Sequence, residues 1–134
     1  MATFIAHIKV LPGYEAAFEA MERGLYEGTH AGEPRMRRYE CWRGQEERTY
    51  YVLESFDAYE GFLEHQVSGH HDTLTADFRN WIESFWIEWL DPVQGASPLV
   101  TTVDAGAPPG ASEQMRDYAE RMPVEIAPWW LPLR

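Results

Sequence analysis

Thr3-Phe4-Ile5-Ala6-His7-Ile8-Lys9-Val10-Leu11-Pro12-Gly13 reads as one strand and its stop. Phe4, Ala6, Ile8 and Val10 alternate with Thr3, Ile5, His7 and Lys9, so the first set is expected to face helices and the second to face away from them. After the Pro-Gly stop, Tyr14, Ala17, Phe18, Met21 and Leu25 recur at helical spacing, with Glu15, Glu19, Glu22 and Glu27 assigned to the wet side. Residues 28–34 carry two glycines and a proline and read as a break. Residues 35–43 form a second strand candidate, 44–48 a polar hairpin loop, and 49–56 a third strand rich in β-formers, paired antiparallel to the second across so short a loop. Asp57 with Glu60 makes an acidic capping pattern for a second helix whose stripe is Tyr59, Phe62, Leu63, Gln66 and Val67. Ser68-Gly69 interrupts it. Leu74, Phe78, Trp81, Ile82 and Phe85 trace a further helical segment from about His70, and residues 86–90 read as a short fourth strand before Asp91-Pro92. The order βαββαβ with an antiparallel sheet is the α+β fold called ferredoxin-like.

The chain has 134 residues, enough for one domain, with six Trp, seven Tyr and six Phe to bury. A sheet covered by helices on one side leaves its other face open, so a homodimer is expected. Residues 1–94 make up the ferredoxin-like unit. Residues 95–134 form a Pro-rich extension, with a short helix capped by Ser112 and a final extended segment carrying Trp129 and Trp130, expected to pack on the partner subunit. A net charge of −11 opposes nucleic acid and anionic lipid as partners. No apolar run reaches the roughly 20 residues of a membrane span, the first eleven residues lack a signal peptide's basic start, and Cys41 is the single cysteine, so a cytoplasmic protein is expected.

Four stretches carry a resemblance. They are Ile8-Lys9-Val10-Leu11-Pro12-Gly13, Glu33-Pro34-Arg35-Met36-Arg37-Arg38-Tyr39-Glu40, Tyr51-Val52-Leu53-Glu54-Ser55-Phe56 and His65-Gln66-Val67-Ser68-Gly69-His70. In this order and spacing the chain resembles the antibiotic biosynthesis monooxygenase family over about residues 3–93. The resemblance implies a dimeric α/β barrel formed from two sheets, with a pocket between helices and sheet. In several members that pocket oxidises phenols or quinols with molecular oxygen, without metal or flavin. Other members degrade haem, and that branch carries an Asn in strand one whose place is taken here by Ala6, or by His7 if the register slips.

Oxygenation without a cofactor needs a base, a group that favours the substrate anion, and a dry cavity. His70 is the first candidate base, since histidine titrates near neutrality and the resemblance puts it at the pocket mouth, and His65 stands beside it as a second catalytic candidate. Strand alternation sets Arg37, Tyr39 and Cys41 on one face, where Arg37 would hold a phenolate or carboxylate, Tyr39 would orient a substrate oxygen and Cys41 would line the pocket. Phe62, Trp81 and Phe85 are candidates to stack on a flat substrate, each also suited to a plain core role. No metal site is expected, because His65, His70 and His71 at i, i+5 and i+6 point around a helical cylinder. The expected function is a cofactor-independent monooxygenase of a quinol, phenol or anthrone-like compound. The alternatives are a protein that binds, isomerises or cyclises such a compound, and a haem-degrading monooxygenase.

Overall fold

The computed structural model describes residues 1–133, so Arg134 of the extension lies outside the described residues. Strand β1 (Ala2–Val10) is central in a four-stranded antiparallel sheet of order β2-β3-β1-β4, with β2 at Met36–Arg43, β3 at Thr49–Phe56 and β4 at Ile82–Trp89. Helix α1 (Glu15–Gly32), α2 (Tyr59–Gln66) and the one-turn helices α3 (Gly69–Leu74) and α4 (Phe78–Trp81) complete the βαββαβ unit. The alternation read from strand one holds: Phe4, Ala6, Ile8 and Val10 are buried under the helices. Cross-strand pairing adds Tyr50, Val52, Glu54 and Phe56 of β3 to the same face.

Four local readings are corrected by packing. Helix α1 continues through Gly28, because that glycine is a contact and not a break: a Cβ there would lie 2.8–2.9 Å from the His70 ring, and one at Gly24 would lie 3.1 Å from Leu74. The two glycines, one turn apart, form the shallow strip that receives α3. Glu22, assigned to solvent, is buried beside Met21 and Leu25. Asp57 caps nothing, since Ala58 precedes α2 and the Asp57 carboxylate pairs instead with Arg35 and Arg37. The last strand begins at Ile82, so Ile82 and Phe85 belong to β4, where Phe85 pairs with Ile8 and Ile82 with Val10.

On the opposite face, the His7 ring stacks on Trp86 at 3.7 Å and meets Tyr51 edge-on at 5.3 Å. Trp42 and Trp86 are each more than half exposed there.

The extension returns over its own chain. Thr102 Oγ1 accepts from Thr3 N–H at 3.2 Å and donates to the Leu90 carbonyl at 2.6 Å. Ser112 caps α5 (Glu113–Arg121), as expected, its Oγ accepting from Met115 N–H at 3.1 Å. The Tyr59 hydroxyl donates to the Met122 carbonyl and the Trp89 indole to the Pro123 carbonyl, both at 2.9 Å. Residues Pro128–Leu133 form a 3₁₀ turn where an extended segment was expected. Packing of the extension on a partner subunit stands as a proposal, and its final turn leaves Trp129, Leu131 and Leu133 exposed. Truncation after Val103 removes the acceptors of Tyr59 and Trp89, and should raise binding of a hydrophobic dye and lower the thermal midpoint. Unchanged dye binding and midpoint would make the extension an appendage.

Candidate functional site

Between sheet and helices lies a cavity of about 520 Å³, within the range of small-molecule sites. Phe4, Ala6, Ile8, Val52, Ile87 and Phe85 form its sheet side. Met21, Leu25 and Phe78 close it from the helices, and Tyr118, Arg121 and Met122 bring α5 over it. Into this apolar enclosure project Glu22, Tyr39, Glu54, His65, Gln66 and His71.

Glu22 owes its place to helical period: it stands on the Phe18, Met21, Leu25 stripe of α1. Its Oε2 accepts from the Tyr39 hydroxyl at 3.2 Å. Burial, and then the charge of Glu54, push the Glu22 carboxyl up to about 8, against the opposing pull of the Tyr39 bond and His65. The Tyr39 phenol is driven well above its usual range by burial and by Glu22, so it stays a hydrogen-bond donor. Glu54, phased with Val52 and Phe56 on β3, is raised by burial to about 7, with His65 opposing. Burial pulls His65 down, but Glu54, Glu33 and Glu22 outweigh it and the net direction is upward. His71 is pushed down to about 3 by burial and by its two histidine neighbours, so it is neutral. A carboxyl group titrating near neutrality, bonded to a phenol in an apolar cavity, can take a proton from a weakly acidic ligand hydroxyl or carbon.

Of the residues singled out from sequence, the structure brings Tyr39, His65 and Phe85 to the cavity wall. His70 stands behind that wall, against Gly28, with Nε2 2.9 Å from Glu33 Oε1 and 3.3 Å from Thr29 Oγ1. Arg37 is outside it, because the β2–β3 register shifts between Met36 and Arg38 and the strict alternation of faces fails there. Its guanidinium donates to the Pro34 carbonyl and to Asp57, both at 3.4 Å. Phe62 is wholly buried among Phe4, Phe56, Tyr59 and Trp89 and lines no part of the cavity. Trp81 packs toward Tyr14 at 6.5 Å, and Cys41 is exposed near the end of edge strand β2. Glu22 and Glu54 were the residues overlooked. Each is a carboxylate at the apolar phase of its element, and that misfit was visible in the sequence.

The family model of antibiotic biosynthesis monooxygenases matches residues 1–77. No curated protein matches the chain. Among solved structures, one from Caulobacter crescentus bearing the antibiotic biosynthesis monooxygenase name is 27% identical and superposes with a TM-score of 0.65, over 69% of this chain and 90% of that one. A Pseudomonas aeruginosa structure is 21% identical at a TM-score of 0.62, covering 66% and 90%. A Mycobacterium tuberculosis structure is 20% identical at 0.65, covering 72% and 98%, and at that identity shows a shared fold. With more than half of its length matched by the family model, and with the same helix-covered open sheet, the chain belongs to the antibiotic biosynthesis monooxygenase family.

Proposed function

We propose that this protein is a monooxygenase that deprotonates a small phenol, quinol or anthrone-like compound in the cavity and oxidises it with molecular oxygen, the substrate being the electron source. The observation that carries this reading is the Glu22–Tyr39 pair in an apolar enclosure. In its ionised form Glu22 takes the substrate proton, and the Tyr39 hydroxyl, which donates its single O–H to Glu22 beforehand, turns it to the developing oxyanion once Glu22 is protonated. For an anthrone-like methylene, the resulting anion passes one electron to oxygen, and substrate radical and superoxide join in a C–O bond. Protonation gives a hydroperoxide. Loss of the second C–H proton breaks the O–O bond and releases water, so the methylene and one O₂ become a ketone and one H₂O. The base role expected of His70 falls to Glu22 in this account, since His70 lies behind the wall, and His65 supports the pair through charge. Ala6 offers no polar group where the haem-degrading branch has Asn, which favours a flat organic substrate over haem.

The activity should rise with pH, pass half its maximum near 8 and level off above about pH 9, because Glu22 must be ionised to act and its carboxyl is raised to about 8. Steady-state rates between pH 6 and 9.5, corrected for spontaneous oxidation, check this, and a rate that falls across that range contradicts it. A binding or isomerising protein would show substrate turnover or binding without oxygen uptake.

We also propose that two copies pair through the face that carries His7, Tyr51, Trp42 and Trp86, closing two open sheets into a barrel. Light scattering at micromolar concentration should give twice the 15.5 kDa chain mass, and Trp86→Glu should shift it toward one. A monomeric parent protein would rule this pairing out.

A further inference from the structure

His65 and His70 do not share one helical cylinder. Helix α2 ends at Gln66, Ser68 caps the next segment with its Oγ accepting from His71 N–H at 3.3 Å, and α3 starts at Gly69. The turn between them folds both rings toward Glu33, the residue that follows α1. His65 Nδ1 lies 2.9 and 3.1 Å from the two Glu33 oxygens, and His70 Nε2 lies 2.9 Å from Oε1. All three donor atoms fall within 4.8 Å of one another. Tetrahedral bonds of about 2.1 Å set ligand edges of about 3.4 Å, so the widest separation in the set, up to 4.8 Å, has to close by about 1.4 Å for all three atoms to reach one ion.

A second observation points the same way. Glu54 is 6% exposed, its Oε2 has no hydrogen-bond partner among the described residues, and it faces the other nitrogen of His65, Nε2, at 3.6 Å. A neutral imidazole carries one N–H. With that proton turned to Glu54, Nδ1 presents its lone pair to the Glu33 carboxylate at hydrogen-bond distance, a repulsion that is relieved either by a second ring proton or by a metal cation shared between the two. A buried carboxylate behind a histidine is also the arrangement that orients a metal-ligating imidazole.

We infer that Glu33, His65 and His70 form a site for a divalent transition-metal ion, with Glu54 as the positioning residue of His65. Two imidazoles and one carboxylate suit ions of the zinc, cobalt and iron kind, and not magnesium or calcium, which take oxygen ligands. Glu33 and His70 are partly exposed, which gives the ion a way in. Bound there, the ion ties the end of α1 to α2 and α3. Its ligand His65 borders the cavity, with its ring 5.6 Å from that of Tyr39, and no step of the proposed deprotonation is assigned to the ion.

The test reads binding without turnover. Chelator-treated full-length protein is titrated with Zn²⁺ by calorimetry and with Co²⁺ by visible absorption, and its thermal midpoint is followed against free Zn²⁺. The expected result is one ion per chain, cobalt d–d bands of a nitrogen- and oxygen-ligated site, and a midpoint that rises with ion concentration. Glu33→Gln and His70→Ala, both at partly exposed positions, should each weaken binding by tenfold or more, and Glu54→Gln by about 10- to 100-fold. Circular dichroism confirms that the variants fold, and the parent titration stands by itself if one does not. A flat titration overturns the inference, and means that the cluster is held by an imidazolium at His65. Saturable binding that survives both Glu33→Gln and His70→Ala overturns it too, since the ion then sits elsewhere.

Discussion

Replacing Glu22 by Gln should lower the oxidation rate by about 10²-fold or more and, at alkaline pH, make the protein more stable. The first effect is the usual scale for loss of a general base. Gln preserves the size of the side chain and a partner for the Tyr39 hydroxyl, so the substitution removes the titration and little else. The second effect follows from linkage. The Glu22 carboxyl stands at about 8 in the folded state against 4.5 as its ordinary value, so the folded chain keeps a proton that the unfolded chain releases. The stability it contributes is whole below pH 4.5, declines as pH rises, and is lost once pH passes 8. The parent protein therefore carries an ionised buried carboxylate at pH 9 that E22Q does not. Thermal midpoints should match at pH 4.5, separate steadily up to about pH 8, and stay apart above it. Glu54 titrates in the same enclosure, so E54Q measured alongside separates the two contributions. A midpoint difference that is the same at pH 5 and pH 9 would show that Glu22 is not held in its neutral form. An unchanged rate would remove it from the chemistry.

The largest stability loss should come from Phe62→Ala. Phe62 is 0% exposed, edge-on to Phe4 and Trp89 at 5.4 Å and stacked on Tyr59 at 5.5 Å. Truncating a buried Phe to Ala costs about 3–5 kcal/mol through lost transfer energy and the cavity left behind. That is a large share of the roughly 5–15 kcal/mol that holds a domain together. Urea unfolding should show the midpoint fall with little change in slope. Because Phe62 lines no part of the cavity, the Michaelis constant of the folded fraction should hold. A marked rise in that constant with modest loss of stability would instead return Phe62 to the substrate site, as its aromatic stripe first suggested.

The strand alternation of residues 3–10 and the helical stripes of α1 and α2 were legible because each is a repeating pattern, and repetition averages out single exceptions. The exceptions themselves carry the site. Glu22 was read as solvated because it is an acid, although 18, 21, 22 and 25 fall on one stripe; residue type overrode position. Arg37 was placed inward by strict period two, and the β2 register shift that turns it out comes from pairing with β3, which one strand's pattern does not contain. Gly28 read as a helix breaker because glycine usually is one; that it makes room for the His70 ring depends on a segment 42 residues away. The α4–β4 boundary failed for a related reason, since Ile82 and Phe85 fit both a helical stripe and a strand.

Deprotonation of a substrate in the cavity and transfer of its electrons to oxygen can both be followed with an oxygen electrode. Chelator-treated protein is given a panel of anthrones and quinols at pH 8.5, with E22Q as the paired measurement. The expected result is uptake above spontaneous oxidation, one O₂ consumed for each anthrone-like methylene converted to ketone, and near-complete loss of that uptake in E22Q. Uptake no faster than in buffer across the panel, or equal uptake by the parent protein and E22Q, would contradict it.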